Sequence, residues 1–434
     1  MASERMKVIK YPSRETWKQL SLRPQLDLGY LEGVVNNILH RVKISGDAAL
    51  KEFARQFDQV RIEDLRVTEK EITEASLETS DELKEAIQIA AENIRKFHTA
   101  QRREVLTVET MPGIRCWRKS IAIEKVGIYI PGGSAPLFST VLMLGIPAQL
   151  AGCKEVILCS PPGSDGQIDA SILYAAQIAG ISTIFKVGGA QAIGALAYGT
   201  ESIPAVDKIF GPGNQYVTCA KQLINQQGTA IDIPAGPSEV MIIADESAEP
   251  SFVVADLLSQ AEHGADSQVM LATTSELLIE KVQHEINRQL AILPRAAIAA
   301  QSLANSMTIL LSNDDELMNF ANEYAPEHLI INTINCDQLA ERVVNAGSVF
   351  LGPYSPEAAG DYASGTNHTL PTNGAAKAYS GVSVESFCKF VTFQKVSEAG
   401  IIRLGPVVEK MAMAERLEGH AIAVRMRLTG GGSN

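Results

Sequence analysis

The 434-residue chain has seven histidines, and few of them stand where they could do chemistry. His263 closes a helical run just before Gly264, and Gln260 lies three residues earlier on the same helix face. An i, i+3 pair of this kind can present nitrogen and oxygen to one metal ion. A histidine that merely caps its helix fits the same spacing. Glu327-His328 follows Pro326 at the head of an apolar run, 328–332, that reads as a strand. Adjacent strand residues face opposite sides, so the pair can meet one substrate only at the strand mouth. A carboxylate beside an imidazole suits proton transfer at two positions, although a plain polar strand edge uses the same residues. Asp361 and His420 complete a candidate N/O metal set with Gln260 and His263, compatible with Zn²⁺ although structural zinc sites are usually rich in cysteine. His40, His98 and His284 sit in charged amphipathic runs and are expected on solvated helix faces.

Glycine supplies a second set of chemical positions. Pro131-Gly132-Gly133, Gly188-Gly189-Ala190-Gln191 and Gly211-Pro212-Gly213-Asn214 each fall between an apolar run and a helical one. Such turns let backbone N–H groups approach a phosphate at a helix N-terminus, and in parallel sheets they lie at the carboxyl edge where ligands bind. Tight turns without a ligand also need glycine. No G-x-G-x-x-G follows a strand with an acidic residue about twenty positions on, so any dinucleotide binds in another pose.

These groups need elements to hold them. Short apolar runs at 126–130, 155–160, 183–187, 208–210, 230–233, 240–244, 268–273, 308–311, 328–332 and 348–351 read as strands. Helical runs fall between most of them, as at 138–150, 169–179, 252–262 and 337–345. Two amphipathic helices, 30–57 and 80–101, precede them. Alternation of apolar strands with helices is the pattern of parallel sheets covered on both faces. Ten strands overfill one sheet, so the expected fold is α/β with two doubly wound units, the break falling near 234–239. The stretch 352–381 reads as one long irregular segment, and it is expected to be functional because it holds Glu357, Asp361 and His368. The tail is expected to be helical over 397–428 and flexible over 430–434.

Composition removes several classes. With 38 Lys and Arg against 50 Asp and Glu, the net charge is −12, which speaks against nucleic acid or an anionic membrane surface. The uncharged stretch 126–153 is long enough to span a bilayer, but its prolines and glycines fit a strand, a turn and a buried helix better. Six cysteines without any C-x-x-C are expected to be reduced and mostly buried, and the N-terminal segment lacks the apolar core of a signal peptide.

At these same residues the chain resembles the histidinol dehydrogenase family. The resemblance rests on Tyr129-Ile-Pro-Gly-Gly-Ser-Ala-Pro-Leu137, Val187-Gly-Gly-Ala-Gln191, Phe210-Gly-Pro-Gly-Asn214, Pro234-Ala-Gly-Pro-Ser-Glu239 and Leu258-Ser-Gln-Ala-Glu-His-Gly264. It continues through Pro326-Glu-His-Leu329, Gly360-Asp-Tyr-Ala-Ser-Gly-Thr-Asn-His368 and Glu415-Arg-Leu-Glu-Gly-His420, so it covers nearly the whole chain. It implies a cytoplasmic enzyme that oxidises L-histidinol through L-histidinaldehyde to L-histidine with two NAD⁺, the last step of histidine biosynthesis.

By the same resemblance Gln260, His263, Asp361 and His420 would bind one Zn²⁺ per subunit. Ser238, His328 and Glu415 would join them around the substrate. Tyr129, Gln191 and Asn214 would contact NAD, and Glu327 and His328 would form the acid–base pair. The implied architecture is Rossmann-like, an intertwined homodimer with shared active sites. Its expected parts are an N-terminal helical extension (1–25), a larger α/β domain for metal and substrate (26–125 and 239–381), an NAD-side α/β domain (126–238) and a C-terminal helical extension reaching the partner subunit (382–434).

Rival readings differ at identifiable residues. A same-fold zinc- and NAD-dependent dehydrogenase for another small primary alcohol would first change the imidazole-holding positions, and Glu415 and His420 are intact. A non-catalytic metal-binding scaffold is opposed by the complete acid–base pair and ligand set. A thiol-dependent aldehyde dehydrogenase would need one of the six cysteines, and none is expected to be catalytic.

Overall fold

The computed structural model describes residues 6–23, 28–102, 104–132, 135–233 and 236–429. Gly133, Ser134, Pro234, Ala235 and the tail 430–434, singled out from the sequence, lie outside the described residues. In chain order the strands begin with β1 (Lys7–Lys10), β2 (Thr107–Met111), β3 (Ile114–Ala122), β4 (Lys125–Tyr129) and β5 (Glu155–Ser160). There follow β6 (Thr183–Lys186), β7 (Lys208–Phe210), β8 (Ala230–Ile231), β9 (Glu239–Ala244) and β10 (Gln268–Thr273). The last four are β11 (Met307–Leu310), β12 (His328–Asn332), β13 (Ser348–Leu351) and β14 (Cys388–Val396).

Two compact units result. One comprises the described residues through Gln101 together with Ile123–Phe387, and the other comprises 102–122 and the described part of 388–434. The first holds two parallel sheets, ordered β6-β5-β4-β7-β8 and β1-β11-β10-β9-β12-β13. Leaving β1 aside, both run 3-2-1-4-5 in their own chain order. Strands β9, β10 and β12 are buried along their whole lengths, so apolar runs rather than alternation mark them in the sequence. The second unit is an antiparallel sheet, β14-β3-β2, with helices Glu398–Ala414 and Glu418–Leu428.

All ten strands read from the sequence are present. The long amphipathic helices appear as Leu28–Phe53 and Asp81–Thr99. Several expectations need correction. The segment before residue 25, expected to be helical, also supplies β1, a strand paired with β11. The helices of 28–99 share their main cores with 126–238 rather than with 239–381. Leu31, Val35 and Leu39 share a core with Ile157, Ile193 and Ile209, and Ile87, Ala90 and Ile94 share one with Val126, Ile128 and Leu158, so both helices cover the five-stranded sheet. The segment 382–434 is not all helical, since β14 crosses it. The helix expected over 337–345 spans only Cys336–Ala340. His98 is buried on the apolar face of its helix, with Nδ1 3.1 Å from Gln101 Oε1, and is not solvated. His40 and His284 are exposed as expected. Of the six cysteines, expected to be mostly buried, only Cys159 and Cys219 are fully so. Among the described residues no helix is long and apolar enough to cross a membrane.

The carboxyl edge of the five-stranded sheet is braced by a buried charge pair. Lys221 Nζ donates to Asp232 and to the Gly211 carbonyl (2.8 Å), while Asp232 Oδ2 accepts the Gly211 N–H (2.8 Å). Gly211 has φ 126°, and a Cβ there would lie 2.0 Å from the Tyr129 carbonyl oxygen, so only glycine fits. Lys221→Met leaves Asp232 charged and unpaired. It is expected to cost about 3–5 kcal/mol, read as a lower urea midpoint. A shift within error would show that the pair does not brace this turn.

Candidate active site

Most of the residues picked out for acid–base and metal chemistry meet at the amino edge of the six-stranded sheet. β12 starts beside β9, with His328 opposite Val240, so Glu327, His328 and Glu239 share one strand mouth. His328 is 3% exposed. Its Nδ1 lies 3.2 Å from the Glu239 carbonyl oxygen, which can only accept, so Nδ1 carries a proton and any proton exchange falls to Nε2. Nε2 is 3.5 Å from Asp361 Oδ1, and Nδ1 is 3.7 and 3.8 Å from the carboxylates of Glu327 and Glu357. Glu327 is locked reciprocally to Glu239. Its Oε2 accepts the Glu239 N–H at 2.8 Å, and its own N–H donates to Glu239 Oε1 at 3.3 Å.

The segment read as irregular contains a short helix, Glu357–Tyr362, which brings Glu357 and Asp361 onto one face at i, i+4. His328, Glu357 and Asp361 each offer a ligand atom within 4.8 Å of the others. His368, from the same segment, holds the Asp361 carbonyl through Nδ1 at 2.8 Å and meets Thr140 Oγ1 through Nε2 at 3.1 Å.

Gln260 lies on helix Pro250–Ala261, and His263 lies just past its end rather than within it. Gln260 Nε2 sits 3.1 Å from His263 Nδ1, and the buried Gln260 Oε1 has no hydrogen-bond partner. Asp256, one turn earlier, shares their face at i, i+4, i+7. Ser238, half-buried before β9, uses its carbonyl to accept the Gln268 N–H. Glu415 and His420 are exposed on the second compact unit.

Charge and burial oppose each other here. Burial pushes Glu327 and Glu357 up to about 8 each. Burial alone would lower His328, but the carboxylates of Glu357, Glu327 and Asp361 outweigh it and hold the ring well above its usual value. Burial works against the Asp361 carboxylate too, yet the imidazoles of His328, His368 and His263 keep it low. His263 is lowered by burial, and it lies close enough to Asp361 and His328 to feel their charges.

A separate cavity of about 1020 Å³ opens at the carboxyl ends of β4 to β7, and Tyr129, Gln191 and Asn214 all line it. Its volume suits a large small-molecule ligand. Tyr129 Oη accepts the Gly189 N–H at 3.0 Å, and burial raises the phenol to about 12. Asn214 caps helix Gln215–Gln226, its Oδ1 accepting the Tyr216 and Val217 N–H groups at 3.1 and 3.2 Å. No cysteine lines the cavity, and burial raises the Cys159 thiol far above the range of a nucleophile.

Sequence reasoning counted Glu357 among the functional groups of its segment without giving it a specific role, and it gave none to Glu239 or Arg23. Glu357 was legible only as the i, i+4 partner of Asp361, and the Gly- and Pro-rich composition around it hid the helix. Glu239 and Arg23 sit 216 positions apart and carry no local signal.

A family model described as histidinol dehydrogenase matches residues 22–428. The histidinol dehydrogenase of Bacteroides thetaiotaomicron is 59% identical over 423 residues, covering 98% of this chain and 99% of the relative. That of Escherichia coli K12 is 51% identical over 417 residues, 95% of each chain. The crystal structure of histidinol dehydrogenase from Elizabethkingia anophelis superposes with a TM-score of 0.96 at 53% identity, covering 99% of both chains. The protein is therefore an oxidoreductase with parallel α/β sheets. It belongs to the histidinol dehydrogenase family.

Asp256 provides a test of the low-dielectric setting. Burial raises its carboxyl to about 7 from 3.8. A carboxyl raised on folding contributes its full stability below the unfolded value and loses it as pH climbs toward the folded value. Asp256→Asn is therefore expected to be neutral near pH 4 and stabilising by about 2 kcal/mol near pH 8, a discount on the full shift because the residue is only partly buried. Urea unfolding of metal-free protein at the two pH values checks this; a pH-independent difference contradicts it.

Proposed function

We propose that this chain oxidises L-histidinol to L-histidine through L-histidinaldehyde, with two NAD⁺ each accepting one hydride, as the last step of histidine biosynthesis in the cytoplasm. The observation that carries this reading is the convergence of Glu327, His328, Gln260, His263 and Asp361 at one strand mouth, in a chain of this family.

The donor set fits a divalent cation. Gln260 offers a buried oxygen that nothing else satisfies, His263 an imidazole lowered by burial and hence neutral, and Asp361 a carboxylate held ionised. Mixed N/O ligation suits Zn²⁺, with Gln260, His263 and Asp361 as ligands. His420 would complete the set from a second copy of the chain in an intertwined homodimer, with Glu415 joining the substrate from there as well. Bound Zn²⁺ would offset the surrounding carboxylate charge and orient the amine and imidazole nitrogens of histidinol.

His328, neutral at Nε2 once that carboxylate charge is offset, takes the hydroxyl proton there while hydride leaves the carbinol carbon for the nicotinamide. The aldehyde is then hydrated. Glu327, whose raised proton affinity suits a base near neutral pH, takes a proton from the attacking water. After His328 has returned its proton, it accepts one from the gem-diol as the second hydride departs. Ser238 lies at the same strand mouth to meet the substrate.

NAD is assigned to the glycine-walled cavity, against Tyr129, Gln191 and Asn214. The 3-2-1-4-5 strand order supports a Rossmann-like reading of 126–238, with binding at the carboxyl edge. Residues 239–381 then form the metal and substrate side.

The deciding experiment counts NADH formed from limiting histidinol. About two per molecule are expected from the paired oxidations; one or none would sink the assignment. Glu327→Gln is expected to slow aldehyde turnover by about 10²–10⁴-fold while sparing the first oxidation. Equal losses in the two half-reactions would remove Glu327 from that role. Dialysis against a chelator is expected to abolish turnover, with activity and bound zinc returning together on adding Zn²⁺. Full activity in protein shown to be zinc-free would refute the metal.

A further inference from the structure

Behind the acid–base pair stands a buried ion pair that touches neither the cavity nor the metal-ligand set. Arg23 donates to Glu239 through two nitrogens, Nε to Oε2 at 2.6 Å and Nη2 to Oε1 at 2.8 Å. The side chains are 7% and 1% exposed. Nη2 also reaches the Tyr324 carbonyl at 2.8 Å and Nη1 the Ser21 carbonyl at 2.7 Å. The guanidinium lies 3.6 Å from the centre of the Tyr324 ring, whose hydroxyl donates to Gln268 Oε1 at 2.8 Å. Four of the five guanidinium N–H donors and one of its faces are thus committed.

Glu239 contacts the pair three times over. Its N–H holds the Glu327 carboxylate, its Oε1 accepts the Glu327 N–H, and its carbonyl accepts from His328 Nδ1. Its own carboxylate is out of water and needs a counter-charge to stay in place. Arg23 supplies that charge. Without it the buried Glu239 carboxylate has lost both of its side-chain hydrogen-bond donors, and its rearrangement loosens the main-chain contacts that aim Glu327 and hold His328 Nδ1.

We propose that Arg23 is a positioning residue for the Glu327–His328 pair, acting entirely through Glu239. This rests on the proposed reaction. The consequence is asymmetric. The aldehyde half-reaction uses both members of the pair and the alcohol half-reaction uses His328 alone, so loosening Glu239 harms the second step more.

The test compares wild type, Arg23→Gln, Arg23→Lys and the double variant R23Q/E239Q as zinc-loaded enzymes, feeding histidinol or histidinaldehyde with NAD⁺. Arg23→Gln is expected to lose tenfold or more in kcat for the aldehyde and distinctly less for the alcohol, with KM for NAD unchanged. Arg23→Lys retains the charge and is expected to fall between. The double variant exchanges the unpaired charge for an amide pair and is expected to recover most of the ratio. A parallel reading, ¹⁵N signals of the His328 ring recorded at a pH where the ring is neutral, is independent of turnover; protonation at Nδ1 in wild type and mixed tautomers in Arg23→Gln are expected. Proportional losses in both steps, or a double variant no better than Arg23→Gln, overturn the proposal. So do ring signals identical in wild type and variant. A wild-type enzyme inert on histidinol defeats the reaction instead, and the ring signals then decide the positioning role alone.

Discussion

His328 is held in a place that water does not reach, between a main-chain carbonyl and three carboxylates. Most of the amino edge of the six-stranded sheet follows from that constraint. Packed this tightly without solvent, two of the carboxyls resist ionisation, Glu327 and Glu357 holding their protons to about 8, while the nearby imidazoles keep Asp361 ionised. The site therefore has to import positive charge. The imidazole provides part of it, Arg23 neutralises the rear of the cluster through Glu239, and the unsatisfied oxygen of Gln260 marks where more is wanted. An apolar shell that left these carboxylates apart would be easier to fold and could not move protons.

The two parallel sheets share a strand order but use opposite ends of their strands. In the five-stranded sheet the open volume lies at the carboxyl edge, where glycine turns let backbone approach a ligand. In the six-stranded sheet the side-chain cluster sits at the amino edge, at the heads of β9 and β12. A main-chain cradle needs room and N–H groups at helix starts. A proton-transfer cluster needs rigid side chains and dryness, and strand heads buried on both faces provide those.

Most strands legible in the sequence are buried on both faces, because burial leaves an apolar run with no alternation to misread; the edge strands β8 and β13 were read although they are partly exposed. β2, β3 and β14 are largely exposed and interleave Arg, Lys and Thr with their apolar residues, so no unbroken apolar run marks them. β1 has lysine at both ends and owes its conformation to pairing with β11. The grouping of helices with sheets was not legible either. An amphipathic face shows that a helix packs, not on which sheet. At the site, the residues with marked local company, such as Gln260 with His263 and Glu327 with His328, were legible. Glu357 was masked by its surroundings, and the Arg23–Glu239 bond joins two positions that only the folded chain brings together. His98 misled for the converse reason: one polar residue in a charged helix gives no sign of facing inward.

The wall formed by Tyr129 and Asn214 carries a polarity of its own. The phenol oxygen already receives a backbone hydrogen from Gly189, and the Asn214 carbonyl oxygen is spent on capping its helix. What these two side chains have left to share are hydrogens, from one hydroxyl and one amide nitrogen. A guest lying against them is sorted by its lone pairs: carbonyl, phosphoryl or aromatic-nitrogen surfaces are welcomed there, and a face bristling with N–H or O–H groups is turned away.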